Sequence, residues 1–284
     1  MDESDIARGM HAATSVATEL GLHASDAVLL HNSNNIALRL RPCDAFARVA
    51  HTGREVFSFE IELATRLAEV GAPVATLDAR VEPRVHRRDG FAMTFWTYYD
   101  PAASPAAMAP GEYATALGQL HASLRRVDLA SPHFLDRVTE AEVLVTSPER
   151  TPRLADADRD FLRRTLDDSR SAIGERGAPE QLLHGEPHPG NLLGTEEGPR
   201  FIDLETCCHG PVEFDLAHVP LDVCEHYRDV DHELLHECRR LVLAMVTAWR
   251  WDADDQFPDG ERMGWRLLHA LRNGPPWPTL DTFV

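Results

Sequence analysis

The segment LLHGEPHPGNLL, residues 182–193, carries closely spaced polar side chains that could perform chemistry. His184 precedes the acid Glu186 by two residues, and Asn191 follows that acid by five. Phosphoryl transfer to a hydroxyl needs an acid that orients the hydroxyl, oxygen ligands for magnesium, and a cation on the nucleotide phosphates. Kinase-type loops place the acid and a metal-binding asparagine at the spacing H-x-D-x-x-x-x-N. The segment therefore predicts a phosphoryl-transfer loop.

Two further acidic positions follow this loop in the order that such chemistry requires. Asp203 comes twelve residues after Asn191, within FIDLE, and the segment GPVEFDLAH then opens a predicted helix with Asp215 near its start. Each signal is weak alone. Together, the loop, the aspartate of a short hairpin and the acidic helix start form a strong combined signal for a nucleotide and metal site.

The motifs HGEPHPGN, IDLE and GPVEFDLA resemble those of the aminoglycoside phosphotransferase and choline kinase superfamily. Its loop typically reads H-G-D-x-H-x-x-N, followed by I-D-W/L-E and G-x-P-x-x-D-L-A. The resemblance implies that Glu186 is the catalytic acid/base and that His184 supports it by holding the loop through hydrogen bonds. It also implies that Asn191 and Asp203 bind Mg²⁺, with ATP or GTP as phosphoryl donor.

The same resemblance implies supporting roles for three more residues. Asp215 would accept hydrogen bonds from the loop backbone, His188 would shape the loop, and Glu205 would be a peripheral contact to metal or substrate. The resemblance is specific over residues 184–217 and looser before residue 100.

Glu186 departs from the aspartate of the family loop, because its carboxylate lies one methylene further from the backbone. A misplacement on this scale can cost about 100-fold in rate. Three alternatives follow: a loop adjusted to glutamate as base, a slow enzyme, or a protein that binds nucleotide without efficient transfer. Retention of both magnesium ligands favours the two active alternatives.

The chain contains no lysine, so the cation on the phosphates has to be an arginine. Arg48, in the predicted strand AFARVA, is the candidate because guanidinium can bind phosphate bidentately. Glu60 is its expected helix partner and Glu62 the alternative; the competing interpretation is that Arg48 is an ordinary surface cation.

Two other segments of the small lobe are expected to contact nucleotide. HNSNN takes the place of a phosphate-covering loop, with Ser33, Asn34 and Asn35 approaching the phosphates, although the same residues suit any hairpin turn. The segment MTFWTYY is expected to form the interlobe hinge, with Phe95 and Trp96 receiving adenine, unless it is simply a buried strand.

Hydrophobic periodicity predicts the helices and strands, and their order together with the family resemblance implies an α+β, two-lobed protein-kinase-like fold. Residues 1–100 form the N-lobe, a small antiparallel sheet of about five strands with one helix, in the order β-β-β-α-β-β. The helix lies between Ser58 and Gly71, and the last two strands are APVATLDARV and GFAMTFWTYY. Residues 101–284 form the mainly helical C-lobe, which begins with a connector rich in Pro and Ala. Its predicted helices are 112–126, 156–173, 212–227, 231–250 and 260–272.

Composition restricts the partners of the protein. The net charge of −18 argues against nucleic acid and is compatible with an amine-bearing small molecule. The alternative, which the charge alone favours, is that the acidity only maintains solubility. No apolar run is long enough to span a membrane, and no signal peptide is evident, so we expect a cytoplasmic protein whose five cysteines are mostly buried and unpaired. The acids expected to attract the substrate are Asp222, Glu225, Asp229, Asp231 and Glu233.

A zinc site is the main competing chemistry. His184, Glu186 and His188 alternate, but H-E-x-x-H sites need a helix, which Pro187 and Pro189 forbid. The adjacent cysteines of CCH likewise lack C-x-x-C spacing. The sequence therefore predicts a kinase of a small cationic molecule, an aminoglycoside-like antibiotic being favoured. The alternative, from a different class of function, is a pseudokinase that binds nucleotide and transfers little or no phosphate.

Overall fold

The computed structural model describes residues 1–32, 35–53, 56–100 and 108–279. The chain forms two compact units, which are Met1–Ser104 with Leu193–Glu205, and Pro105–Leu192 with Thr206–Val284. The chain therefore returns to the first unit after the predicted transfer loop. The roles assigned above to the two lobes stay a prediction.

The first unit is built on a five-stranded antiparallel sheet with the order β1-β2-β3-β5-β4. Two helices and a separate hairpin, β7–β8, accompany the sheet. The elements are α1 (Glu3–Glu19), β1 (Ala24–Asn32), β2 (Ile36–Pro42), β3 (Ala45–His51), α2 (Val56–Glu69), β4 (His86–Arg88), β5 (Phe91–Thr97), β7 (Leu192–Thr195) and β8 (Gly198–Phe201).

Helix α1 is an element that sequence analysis did not predict, since only one helix was expected in this lobe. Asp2 caps its start by accepting a hydrogen bond from the Asp5 N–H at 2.8 Å. The buried side of the helix consists of alanine, glycine and a single valine, Val16, and packs against the sheet. Such small residues give a weak periodic signal, which explains why the helix was missed.

The strand predicted over residues 72–81 is wrong. This segment makes only single bridges within the described residues, from Val74 to Phe201 and from Leu77 to Trp96. Strand β5 pairs with β3 on one side, and the strand on its other side is β4, where His86 pairs with Met93. Pro73 lacks an N–H, and Asp78 turns the chain by accepting from the Arg80 N–H, so a continuous ladder does not form here.

The second unit is mainly helical, with one two-stranded antiparallel pair, β6–β9. Its elements are α3 (Pro110–Leu124), α4 (Phe134–Thr146), α5 (Asp156–Arg176), β6 (Glu180–Leu183), β9 (Cys208–Pro211), α6 (Val212–Leu216), α7 (Leu221–His226), α8 (His232–Arg250) and α9 (Gly260–Asn273). A sheet lobe and a helical lobe were both predicted, and both are present. None of the described helices combines the length and apolar character that a membrane span requires.

Two helices differ from the predicted pattern in this unit. The single helix expected over 212–227 is divided into α6 and α7, because Pro220 cannot continue a helix and instead precedes α7 as its N-cap. Helix α4 was not predicted at all. It begins with a capping box in which Asp136 accepts from the His133 N–H at 2.9 Å.

Candidate functional site

The predicted transfer loop leaves β6 directly after two buried leucines, Leu182 and Leu183. Gly185 has a φ of +89°, which an L-residue rarely adopts. A Cβ added at this position would lie 2.0 Å from the Thr206 carbonyl oxygen. Both the backbone conformation and the close approach of the neighbouring chain therefore require glycine here.

The Asp215 carboxylate, at the start of the second unit's helix α6, anchors this loop. Its Oδ2 accepts from the His184 N–H at 2.9 Å, and its Oδ1 accepts from the Gly185 N–H at 2.8 Å. His121 Nε2 on α3 lies 2.9 Å from Oδ2, and Tyr227 Oη lies 2.7 Å from His121 Nδ1. Asp215 thus contacts the loop backbone as predicted, and His121 is a buried, hydrogen-bonded core histidine.

Electrostatics keep Asp215 ionised although it is fully buried. Burial raises the pKa of its carboxyl, but the hydrogen bond and charge of His121, with the His184 N–H, outweigh burial and lower the pKa below its ordinary value. A charged carboxylate accepts stronger hydrogen bonds than a neutral one. The loop entrance is therefore held by charge-assisted bonds.

The two loop histidines hold the main chain of the loop. His184 is completely buried, and its Nδ1 accepts from the Glu186 N–H at 3.4 Å. His188 Nδ1 accepts from the Gly190 N–H at 3.0 Å, which caps the short 3₁₀ turn Pro189–Asn191. These contacts are the loop-holding and loop-shaping arrangements that were predicted; the catalytic consequence stays a prediction.

The Glu186 side chain is paired with an arginine that sequence analysis missed. Arg137 Nη2, on α4, donates to Glu186 Oε1. Burial raises the pKa of Glu186, but Arg137 and His218 outweigh it and lower the pKa to about 2. Burial lowers the pKa of His218 to about 4, so this histidine is neutral at pH 7. Glu186 is therefore a carboxylate, and an acceptor of hydrogen bonds, throughout the neutral range.

Asn191 closes the loop on Glu186. Its side chain is buried, and its Nδ2 donates to the Glu186 carbonyl oxygen at 3.0 Å. This bond orients the amide so that Oδ1 remains as an acceptor. Oxygen ligands of this kind are the ones that Mg²⁺ prefers.

The first unit contains a second set of predicted residues around Arg48 on β3. Arg48 donates to Glu60 on α2, to Asp203 at 3.0 Å and to Glu205 at 3.2 Å. Glu62 instead pairs with Arg66. Glu60 is the partner that was expected first, and the structure brings it to Arg48.

Burial raises the pKa of Glu60 to about 7, with the Arg48 guanidinium opposing it. Asp203 has a left-handed backbone, with φ of 64°, and its side chain is about one third exposed. Asn35 Nδ2 lies 3.5 Å from Glu205 Oε2, so Asn35 belongs to the same cluster. Ser33 and Asn34 lie outside the described residues.

Phe95 and Trp96 are both buried in β5. Phe95 packs in the sheet core against His86, and Trp96 Nε1 donates to Thr94 Oγ1 at 2.9 Å. These contacts fit the buried-strand interpretation of the segment. Adenine binding by these two residues stays a prediction.

The acids predicted to attract the substrate differ in their surroundings. Asp231 caps α8 and, with Glu233, pairs with Arg176, so both have structural partners. Asp222 and Glu225 are exposed on α7, where their charges face water. Asp229, also exposed, has a left-handed backbone with φ of 57°. Attraction of a cationic substrate by these acids stays a prediction.

A surface pocket of about 690 Å³ lies beside α9 in the second unit. Phe257 and Trp265 contribute aromatic surface to it. Four arginines and three acids also line it, so the pocket offers no excess of negative charge. Its charged lining residues are Arg153, Arg250, Arg262, Arg266, Asp255, Asp259 and Glu261.

The described residues contain no group of three or more His, Cys, Asp or Glu side chains that could hold a metal ion. None of the five cysteines forms a disulfide, and four of them are buried. Burial raises the pKa of the Cys208 and Cys238 thiols. The expectation that most of the thiols are buried and outside disulfides is confirmed.

Comparison with protein families decides which group this arrangement belongs to. The family model described as the phosphotransferase enzyme family (APH) matches residues 25–250. The chain belongs to the phosphotransferase enzyme family. The matched region includes the Arg48 cluster, the transfer loop and Asp215. No curated protein sequence gives a significant match.

Solved structures share the fold of this family member. An amicoumacin kinase, in complex with AMP-PNP, Ca²⁺ and amicoumacin, is 12% identical, with a TM-score of 0.73 and complete coverage of both chains. The GDP complex of an aminoglycoside 2′-phosphotransferase is 16% identical, with 93% and 98% coverage and a TM-score of 0.66. The choline kinase of Streptococcus pneumoniae is 15% identical, with 92% and 99% coverage and a TM-score of 0.64. The predicted kinase-like fold and family are confirmed.

Arg137 is the site residue that the motifs did not reveal in this phosphotransferase. It lies on α4, a helix that the sequence did not predict. The apolar spacing Phe134, Val138, Ala141 and Val145, all buried, is the signal that could have identified the helix. Its pairing with Glu186 spans 49 positions and has no local signal.

The Asp215 anchor predicts a large loss of stability on removal of one charge. Asp215→Asn replaces an acceptor oxygen by an NH₂ group that faces N–H donors, so the free energy of unfolding at pH 7 should fall by about 3–5 kcal/mol. Because the pKa of Asp215 is lowered on folding, its contribution is present above the unfolded value of about 3.9 and is lost as pH falls through the folded value. Urea unfolding at pH 7 and under acid conditions measures both effects.

The matched control for this prediction is Asp222→Asn, which changes an exposed aspartate on the neighbouring helix α7. It should alter the unfolding free energy by less than about 0.5 kcal/mol. Equal stability of Asp215→Asn and wild type at pH 7 would show that Asp215 does not anchor the loop.

Proposed function

We propose that this protein transfers the γ-phosphate of ATP or GTP to a hydroxyl of a small molecule. The observation that supports this most strongly is the loop fixed by Asp215, which presents the ionised Glu186 carboxylate and the Asn191 amide oxygen from one hydrogen-bonded turn. Membership of the phosphotransferase enzyme family supports the same reaction class.

In the proposed step the acceptor hydroxyl donates a hydrogen bond to Glu186. The hydroxyl oxygen forms a bond to the γ-phosphorus while the bond from that phosphorus to the β,γ-bridging oxygen breaks. The proton passes to the Glu186 carboxylate and then to solvent, and the products are a phosphorylated acceptor and a nucleoside diphosphate. A carboxylate with a pKa of about 2 is a weak base, which suits a loose transition state that depends mainly on orientation.

Asn191 and Asp203 fit the role of magnesium ligands because each offers an oxygen donor. Asn191 Oδ1 is left as an acceptor by the Nδ2 bond to Glu186, and the Asp203 carboxylate is partly exposed. When bound, Mg²⁺ would neutralise charge on the phosphates. Glu205 is a peripheral contact in this proposal.

Arg48 is the proposed phosphate-binding cation. Its guanidinium is held by Glu60 and by the carboxylates of Asp203 and Glu205, so its position is fixed by three partners. This arrangement replaces the lysine that the chain lacks. Asn35 supports the cluster through Glu205, and Phe95 and Trp96 are the proposed adenine neighbours.

The proposed acceptor is a small amine-bearing molecule, with an aminoglycoside-like antibiotic as first choice. The net charge of −18 and the exposed Asp222 and Glu225 on α7 support a cationic ligand. Similar structures include a spectinomycin phosphotransferase, a phosphotransferase in complex with GDP and kanamycin, and a choline kinase. In an organism exposed to such a compound, phosphorylation would confer resistance.

The alternative function is a nucleotide-binding pseudokinase. The observation that favours it is the Arg137–Glu186 pair, which occupies one oxygen of the loop acid. Turnover distinguishes the two functions, because both require nucleotide binding.

The proposed reaction predicts a specific effect of Glu186→Gln. The test uses γ-labelled ATP and GTP with Mg²⁺ against aminoglycosides, other amine antibiotics, choline analogues, sugars and nucleosides. Wild type should label one chemical class, and Glu186→Gln should lower kcat by about 100-fold or more, with nucleotide Kd nearly unchanged. Glu142→Gln, which removes a carboxylate from another arginine pair on α4, should retain wild-type kcat.

Wild-type kcat in Glu186→Gln would exclude Glu186 as the group that accepts the proton of the acceptor hydroxyl. Clear magnesium-dependent nucleotide binding by wild type, without transfer to any acceptor class, would favour the pseudokinase.

The magnesium assignment predicts that Asp203→Ala uncouples nucleotide affinity from Mg²⁺. Calorimetric Kd values for ATP and GTP, measured with Mg²⁺ and with EDTA, should differ for wild type and converge for Asp203→Ala. Asp89→Ala is the matched control, because Asp89 is an exposed aspartate that also has a left-handed backbone, with φ of 53°. A magnesium dependence that persists in Asp203→Ala would overturn the assignment.

A further inference from the structure

The Glu186 carboxylate is fixed by a side chain from outside the loop. Contacts from within the loop reach the Glu186 main chain, at its N–H from His184 and at its carbonyl from Asn191. The carboxylate is contacted by Arg137, which donates from Nη2 to Oε1. Among the described residues of the same unit, Glu186 Oε2 accepts no hydrogen bond, so this oxygen is available to an acceptor hydroxyl.

Arg137 also contacts an aromatic ring outside the loop. Its guanidinium carbon lies 4.9 Å from the ring centroid of Trp249 on α8, and its side chain is 18% exposed. Stacking of a guanidinium on an aromatic face restricts its orientation. The start of α4 is also tied to β9, because the His209 N–H donates to the Pro132 carbonyl at 2.8 Å. Strand β9 pairs with β6, the strand that leads into the loop. The start of α4 and the loop are therefore attached to the same pair of strands.

A glutamate in this loop needs such a constraint more than an aspartate would. The additional methylene adds a rotatable bond between the backbone and the carboxylate, so loop hydrogen bonds alone leave the acid with more orientations. A charge-assisted hydrogen bond from a stacked guanidinium selects one of them. Proton acceptance depends on this geometry, because an error of about 1 Å can cost about 100-fold in rate.

We propose that Arg137 is a positioning residue that allows a glutamate to serve as the loop acid: it holds Glu186 Oε1 and directs Oε2 at the acceptor hydroxyl. The inference rests on the proposed phosphoryl transfer and adds a residue that the family motifs do not contain.

The test compares Arg137→Met, Arg137→Lys, Glu186→Gln and the double variant Arg137→Met/Glu186→Gln in the transfer assay. Arg137→Met should lower kcat by about 100-fold, while the KM values for nucleotide and acceptor change less than about threefold. Arg137→Lys keeps the charge and should recover part of kcat. In the Glu186→Gln background, Arg137→Met should cause no further loss, because its effect acts through Glu186.

Arg170→Met is the matched control, because Arg170 pairs with Glu142 of the same helix α4 at 2.8 Å. It should retain wild-type kcat, which separates general damage to α4 from loss of positioning. Trp249→Leu provides a variant that retains Arg137 but removes its stacking partner, and it should give an intermediate kcat even if Arg137→Met does not fold.

Each other outcome identifies the claim that fails. Wild-type kcat in a folded Arg137→Met overturns the positioning role and leaves the proposed function intact. Wild-type kcat in both single variants, Trp249→Leu and Arg137→Lys, has the same consequence. An equal loss in the wild-type and Glu186→Gln backgrounds overturns it too, since Arg137 would then act independently of Glu186. Absence of transfer by wild type overturns the proposed function, and the positioning role with it.

Discussion

Burying a carboxylate costs several kcal/mol unless donors surround it, and Asp215 is fully buried. It takes two of its donors from the backbone of the transfer loop and pairs its Oδ2 with His121. The loop therefore cannot change conformation without leaving a buried charge unsatisfied. The glycine after His184 meets a separate constraint, because the Thr206 carbonyl oxygen would lie 2.0 Å from a Cβ at position 185.

Several other acids of both units pair with arginine, the only strongly basic residue type in the chain. A guanidinium has several donors in a planar fork, so Arg48 can contact Glu60, Asp203 and Glu205 together. Arg137 instead contacts one carboxylate while stacking on Trp249. The first arrangement gathers acids around a cation, and the second orients a single acid.

Much of the fold and the loop could be predicted because both depend on local patterns. Strands β1 to β3, helix α2 and most C-lobe helices follow from periodicity, and a loop-shaping role for His188 was implied by the family resemblance. Helix α1 was missed because its buried face consists of small residues. The segment 72–81 has strand-like composition, but its proline and turn prevent a continuous ladder.

The Arg137–Glu186 contact could not be predicted because it joins residues distant in sequence through packing of α4 against α8 and β9. Motif comparison identifies Glu186 as a departure from aspartate, but only the fold supplies the cation that accompanies it. The glutamate at position 186 is therefore visible in the motif itself. Its contact with Arg137 is a tertiary contact that appears only in the folded chain.

Single-turnover phosphoryl transfer by wild type and Glu186→Asp tests the central claim most directly, since it isolates the chemical step from product release. Aspartate shortens the side chain and withdraws the carboxylate from Arg137. If Glu186 and Arg137 act as a unit, the transfer rate of Glu186→Asp should be lower by about 100-fold at saturating nucleotide and acceptor. A rate equal to or above that of wild type would contradict the account, because the glutamate would then be an imperfect substitute for aspartate rather than a positioned acid.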